Sequence, residues 1–124
     1  MNEEYKILKE EGKQNFTEKK YNSALSIYKK CLDYLINSKI EDTNEKAILL
    51  INQATCNYFL ENYEEALLDA DRSLNINPGY LKGHYRKAQI LIKQEKVNEA
   101  FEACQKALNI EKNHEILELI VIYF

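Results

Sequence analysis

The sequence predicts an all-α fold: a right-handed solenoid of three helix–turn–helix hairpins closed by a capping helix, seven helices in all. Three features carry this prediction. The 124 residues include only three Gly and one Pro, too few for a turn-rich β architecture and well suited to long helices. A small residue is followed twelve positions later by Ala three times, as Gly12 with Ala24, Ala54 with Ala66 and Ala88 with Ala100. The flanks of each pair also match: "KKYNSA", "ENYEEA" and "EKVNEA" precede the Ala, and Leu32, Leu74 and Leu108 follow it by eight residues. The second and third copies stand 34 residues apart and the first and second 42. A period of 34 is that of a helical hairpin stacked as a solenoid.

Helices are expected at 3–18, 21–37, 44–60, 63–76, 80–94, 97–110 and 113–124. The first two hold Gly12 and Ala24, the next two Ala54 and Ala66, and the third pair Ala88 and Ala100, small residues that let paired helices cross closely. The eight residues by which 42 exceeds 34 fall in or beside "INSKIEDTNEKA", lengthening the second helix and the loop after it. Asp42, Thr43 and Asn44 are candidate caps for the helix that follows. In the last helix, "ILELIVIYF" carries a single charge, Glu118, where a terminal solenoid helix needs a polar outer face. Nine residues cannot cross a bilayer, so this helix is expected to pack on a further domain or to mediate self-association. The whole, residues 1–124, reads as one domain with repeats at about 5–38, 47–80 and 81–114 and a cap at about 113–124.

Charge is distributed unevenly along the chain. Overall there are 17 basic and 20 acidic residues, yet residues 77–94 hold Lys82, Arg86, Lys87 and Lys93 and no acid, which leaves −7 elsewhere. On stacked hairpins the first helix of each pair lines the concave face, and side chains three and four residues apart share one surface. Those stripes are Lys6, Lys9, Lys13 and Phe16; then Ile48, Asn52, Thr55 and Phe59; then Lys82, Arg86, Gln89 and Lys93. Glu10 and Glu11 turn about 100° and 200° away from Lys9, and Glu64, Glu65, Asp69 and Asp71 are expected to face outward. The predicted groove is therefore basic and free of acid, shaped to attract an extended acidic ligand. Lys82 and Arg86 lie one turn apart and can converge on one carboxylate, while the Asn52 amide can donate to a second.

Other chemistry is unpromising. No phosphate-binding Gly loop, nucleophile motif or metal-ligand spacing occurs, so neither an enzyme nor a metal or cofactor site is expected. His84 and His114 stand alone, and His84 reads as a helix-surface or interface residue. Cys31, Cys56 and Cys104 are odd in number and widely spaced, which suits small core residues kept reduced in the cytoplasm or nucleus. The N-terminus shows no secretory or mitochondrial signal. A negative body, with no interleaved exposed aromatics along the strip beyond Phe16, Phe59 and Tyr85, argues against nucleic acid.

The spaced small residues, with Tyr28, Pro78 and Ala107, resemble the tetratricopeptide repeat family over nearly the whole chain. Asn15 and Asn57 stand where that family usually has an aromatic. The runs "KEEGK" and "LKGHYRKA" resemble the two-carboxylate clamp of tetratricopeptide co-chaperones, above all those of the tetratricopeptide repeat protein four type; immunophilin co-chaperones are also similar. That resemblance implies a partner: the Glu-Glu-Val-Asp tail of the ninety- or seventy-kilodalton heat-shock chaperone, held by Lys9, Asn52, Lys82 and Arg86. Lys13 departs from the usual Asn. Phe16, Thr55, Phe59, Gln89 and Lys93 would line the groove. One alternative is a scaffold that binds an unrelated protein surface, which a requirement for a free C-terminal carboxylate separates from the docking reading; another is the tetratricopeptide module of an immunophilin-type prolyl isomerase.

Overall fold

A computed structural model describes residues 2–124. They form α1 (Glu3–Thr17), α2 (Tyr21–Asn37), α3 (Thr43–Phe59), α4 (Tyr63–Ile76), α5 (Leu81–Lys93), α6 (Val97–Ile110) and α7 (His114–Tyr123), with no strand among the described residues. Helices pack in sequence as α1 on α2, α3 on α4 and α5 on α6. Each pair also meets the next, and α3 touches α5 directly. Three of the helix starts are capped by side chains. Asn2, Asp42 and Asn113 accept the backbone N–H of Tyr5, Glu45 and Ile116, satisfying donors that have no partner within the helix.

Every hairpin turns in the same way. Lys19, Glu61 and Glu95 adopt left-handed backbone with φ of 62°, 63° and 61°. Behind each, the next N–H reaches back to a carbonyl five residues earlier, as Lys20 to Asn15, Asn62 to Asn57 and Lys96 to Leu91. This is the Schellman closure, made here without glycine. The small residues sit where the helices cross. Ala24, Ala54, Ala66, Ala88 and Ala100 are fully buried, and a β-carbon on Gly12 would come within 2.8 Å of the Tyr28 ring.

Apolar burial forms three clusters along the stack rather than one centre. Tyr5, Tyr28, Cys31, Leu35, Leu49 and Cys56 join the first pair to α3, and Ile51, Ala54, Ala66, Ala70 and Ile90 join the second pair to α5. Leu91, Cys104, Ala107, Ile116 and Leu119 close the third pair with α7. All three cysteines are buried and reduced, and burial raises each thiol above its ordinary value, to about 11 for Cys31 and about 12 for Cys56. The outer face of α7 stays apolar and open, with Val121 83% and Ile122 69% exposed. Among the described residues no helix is long and apolar enough to cross a membrane.

One sequence expectation about polar residues is corrected and another narrowed. Asp69 faces inward: it is buried and accepts a bond from the Asn57 amide at 3.1 Å, with Arg72 at 3.5 Å. Asn57 thus fills its aromatic-type position as half of a buried polar pair between α3 and α4. Of the two alternatives for His84, the structure favours the interface over the surface: it is buried, its Nε2 standing 2.8 Å from the Pro78 carbonyl oxygen.

The expected insertion is spread over three places. Past Ala24, α2 runs 13 residues where α4 runs 10 past Ala66. The loop 38–42 has five residues against four in 77–80. Before Ala54, α3 begins 11 residues ahead, whereas α5 begins 7 ahead of Ala88. The extra first turn of α3 carries Glu45 to within reach of Lys9 on α1.

Candidate carboxylate-binding groove

The concave side holds a groove of about 530 Å³, a volume ordinary for a ligand site. From α1 it is lined by Lys6, Lys9, Glu10, Lys13 and Phe16; from α3 by Ile48, Asn52 and Thr55; from α5 by Lys82 and Arg86; Tyr28 forms its floor. All five residues singled out for peptide binding, Lys9, Lys13, Asn52, Lys82 and Arg86, therefore share one surface, as do Phe16 and Thr55. Helical periodicity places them there, because side chains at three- and four-residue steps on α1, α3 and α5 point to the same side of the stack.

Phe59, Gln89 and Lys93 do not line this groove. Phe59 belongs to an aromatic cluster at the C-terminal ends of α1 and α3, stacked on Tyr21 at 4.9 Å and edge-on to Phe16 at 5.9 Å. Gln89 lies behind Arg86, where its amide oxygen accepts from Arg86 Nη1 at 2.7 Å and its amide nitrogen donates to the Tyr85 hydroxyl at 3.2 Å. Lys93, at the last residue of α5, is exposed. Lys87, the remaining cation of the basic strip, turns to the far side and pairs with Asp71 at 2.8 Å. There it borders a larger hollow of about 800 Å³ between α4, α5 and α6, whose Lys87 and Lys106 are offset by Asp71, Glu99 and Glu102.

The groove is not free of acid, which corrects the sequence reading. Glu10 lines it, and Glu45 receives Lys9 Nζ on both carboxylate oxygens, at 2.9 and 2.8 Å. The Tyr5 hydroxyl donates to the same carboxylate at 2.6 Å, and burial, reinforced by that bond, pushes the Tyr5 phenol well above its ordinary value. The signal was present in the sequence: Glu45 lies one helical step before Ile48 on the stripe that continues through Asn52 and Thr55.

At the other end the cations are unpaired. Lys82 is exposed and Arg86 half-buried, and neither forms an ion pair among the described residues. Arg86 is held in place by neutral groups, Gln89 on one side and the Tyr85 ring 5.8 Å away. Its Nε–H is buried without a partner among the described residues. Burial draws the guanidinium below its ordinary value, the signature of a charge stripped of water without a counter-charge in contact. Asn52, half-buried between the two ends, makes no side-chain hydrogen bond among the described residues.

Residues 81–114 match the family model described as tetratricopeptide repeat. Over 114 residues the chain is 32% identical to protein unc-45 homolog B of Xenopus laevis, a match that covers 91% of this chain but only 12% of that relative. Tetratricopeptide repeat protein 4 of Mus musculus is 31% identical over 118 residues, covering 94% of this chain and 30% of the relative. The fold superposes on the first tetratricopeptide domain of Spaghetti (RPAP3), solved bound to the HSP90 peptide SRMEEVD, with a TM-score of 0.81 and 24% identity over 96% of this chain and 89% of that one. The chain belongs to the tetratricopeptide repeat family.

Proposed function

We propose that this chain is an adaptor that docks the acidic C-terminal tail of a heat-shock chaperone, recognising the tail's free terminal carboxylate together with its last Asp side chain. One observation carries the reading: Arg86 is desolvated and forms no ion pair among the described residues, and it shares a groove with Lys82, Lys13 and Asn52, on a chain whose net charge is −3. A guanidinium in that setting gains more from an incoming carboxylate than an exposed lysine would, because its desolvation cost has already been met in folding. The peptide-bound relative and the similarity to tetratricopeptide repeat protein 4 support the choice of tail.

In this account Arg86 and Lys82 converge on one carboxylate, and Asn52 and Lys13 serve the second. Charge-assisted bonds contribute about 1.5–3 kcal/mol each. A few of them yield micromolar affinity, about 8 kcal/mol, after the ordering of tail and side chains is subtracted. Recognition rests on charge and on hydrogen bonds at a chain end, so it depends on the ligand's terminus being free.

Titration calorimetry with a peptide ending in Met-Glu-Glu-Val-Asp, as free acid and as C-terminal amide, tests the proposal. Micromolar binding of the acid that is lost with the amide supports it. Equal binding of both, or of neither, returns the chain to the reading of a scaffold for an unrelated protein surface.

A further inference from the structure

We infer that Glu45 is a built-in competitor for the groove, occupying Lys9 with the same chemical group the ligand presents and so holding down affinity for acidic tails. The inference rests on the proposed carboxylate docking and extends it to the control of that site. Both oxygens of Glu45 lie within 2.9 Å of Lys9 Nζ, which commits two of the three ammonium donors. The carboxylate is also fixed from behind: the Tyr5 hydroxyl donates to it at 2.6 Å, and its own backbone N–H is held by the Asp42 cap. It is poised rather than incidental, since the Glu45 side chain is only 13% exposed and Lys9 33%.

The placement comes from the extra first turn of α3, which α5 lacks. Without that turn the chain would have no residue at this height over α1, and Lys9 would face the groove alone. A tail carboxylate arriving at Lys9 therefore finds one donor free and a like charge beside it. It must either share the cation with Glu45 or displace it. Coulomb repulsion between two carboxylates on one ammonium is strong in a half-buried groove, where water screens poorly.

Glu45→Gln tests the idea with little disturbance, because the amide oxygen still accepts from Tyr5 while the competing charge is gone. The probe is the free-acid Met-Glu-Glu-Val-Asp peptide, titrated into wild type, Glu45→Gln, Lys9→Met and the double variant, with thermal melts to verify that each is folded. The expected result is at least about fivefold tighter binding by Glu45→Gln. That gain should shrink to under about twofold in the Lys9→Met background, since Glu45 acts through Lys9. Unchanged or weaker binding by Glu45→Gln would overturn the inference while leaving the docking proposal intact, because it would mean that Glu45 merely positions Lys9. A gain of the same size with Lys9→Met would overturn it too, because it would reduce Glu45 to a distant field. Binding of the peptide by none of the four proteins would instead remove the docking proposal itself, and the inference with it.

Discussion

The first and third repeats face the same groove with the same kind of side chain, yet they offer a ligand different things. At the first, Lys9 is neutralised by Glu45 and braced by Tyr5. At the third, Arg86 is oriented by neutral partners and has no acid in contact. A cation count would rate the first repeat higher, with Lys6, Lys9 and Lys13 against Lys82 and Arg86. Ion pairing evens that count, leaving Lys6 and Lys13 against Lys82 and Arg86, and of these four it is Arg86 that burial draws below its ordinary value. What decides the strength of an electrostatic site is the charge left unpaired after folding, not the number of basic residues near it.

Arg86→Ala is the sharpest way to break this comparison. It removes the desolvated guanidinium and is expected to weaken binding of the free-acid peptide by about 100-fold, equivalent to about 2.7 kcal/mol. Replacing the Lys9–Glu45 pair together, by Met and Gln, should cost less than about tenfold, because a nearly neutral unit is exchanged for another. Calorimetry on the two variants reads both, and equal losses would erase the distinction between the ends.

The next effect concerns stability in the first repeat. Gly12→Ala gains helix propensity of about 1 kcal/mol, but its β-carbon meets the buried Tyr28 ring at 2.8 Å. Overpacking of that kind costs about 1–3 kcal/mol, so the variant should be net destabilised or at best neutral in denaturant unfolding. At the corresponding places in the other repeats the chain already has Ala54 and Ala88, both fully buried. The first pair of helices thus has no room for a β-carbon at its crossing, and α1, which carries Lys9, or the Tyr28 ring would have to shift to admit one.

The smallest effect lies between the two ends, at Asp69. Burial pushes its carboxyl up, partly offset by the Asn57 amide and Arg72. A folded-state value above the unfolded one of about 3.9 means that the folded chain holds the proton more tightly. Stability from this group is therefore full below the unfolded value and is lost as pH rises through the raised one. Asp69→Asn should flatten that part of the stability–pH curve, seen as a smaller fall in melting temperature between acid and neutral pH.

Much of this architecture was legible in the sequence because it depends on spacing. Pairs twelve residues apart located every hairpin, and the helix limits agree within one residue, since Gly, Ala and the turns recur in register. The same rule, extended, would have found the buried pair: Asn57 and Asp69 are also twelve apart, like Ala54 and Ala66. Spacing puts Glu45 on the α3 stripe but does not pair it with Lys9. That contact joins residues 36 apart on different hairpins, and it depends on where the stacking sets α3 relative to α1. The left-handed Lys19, Glu61 and Glu95 carry no mark in the sequence for another reason, because no glycine stands there.

The most direct test of the unpaired Arg86 is its own Nε–H resonance, followed by NMR as the free-acid Met-Glu-Glu-Val-Asp peptide is added. With a carboxylate docking on the guanidinium, that signal should move downfield and exchange more slowly with water, and the C-terminal amide should leave it unchanged. A peptide that binds while the Arg86 signal stays still would contradict the account, placing the ligand somewhere other than the unpaired end of the groove.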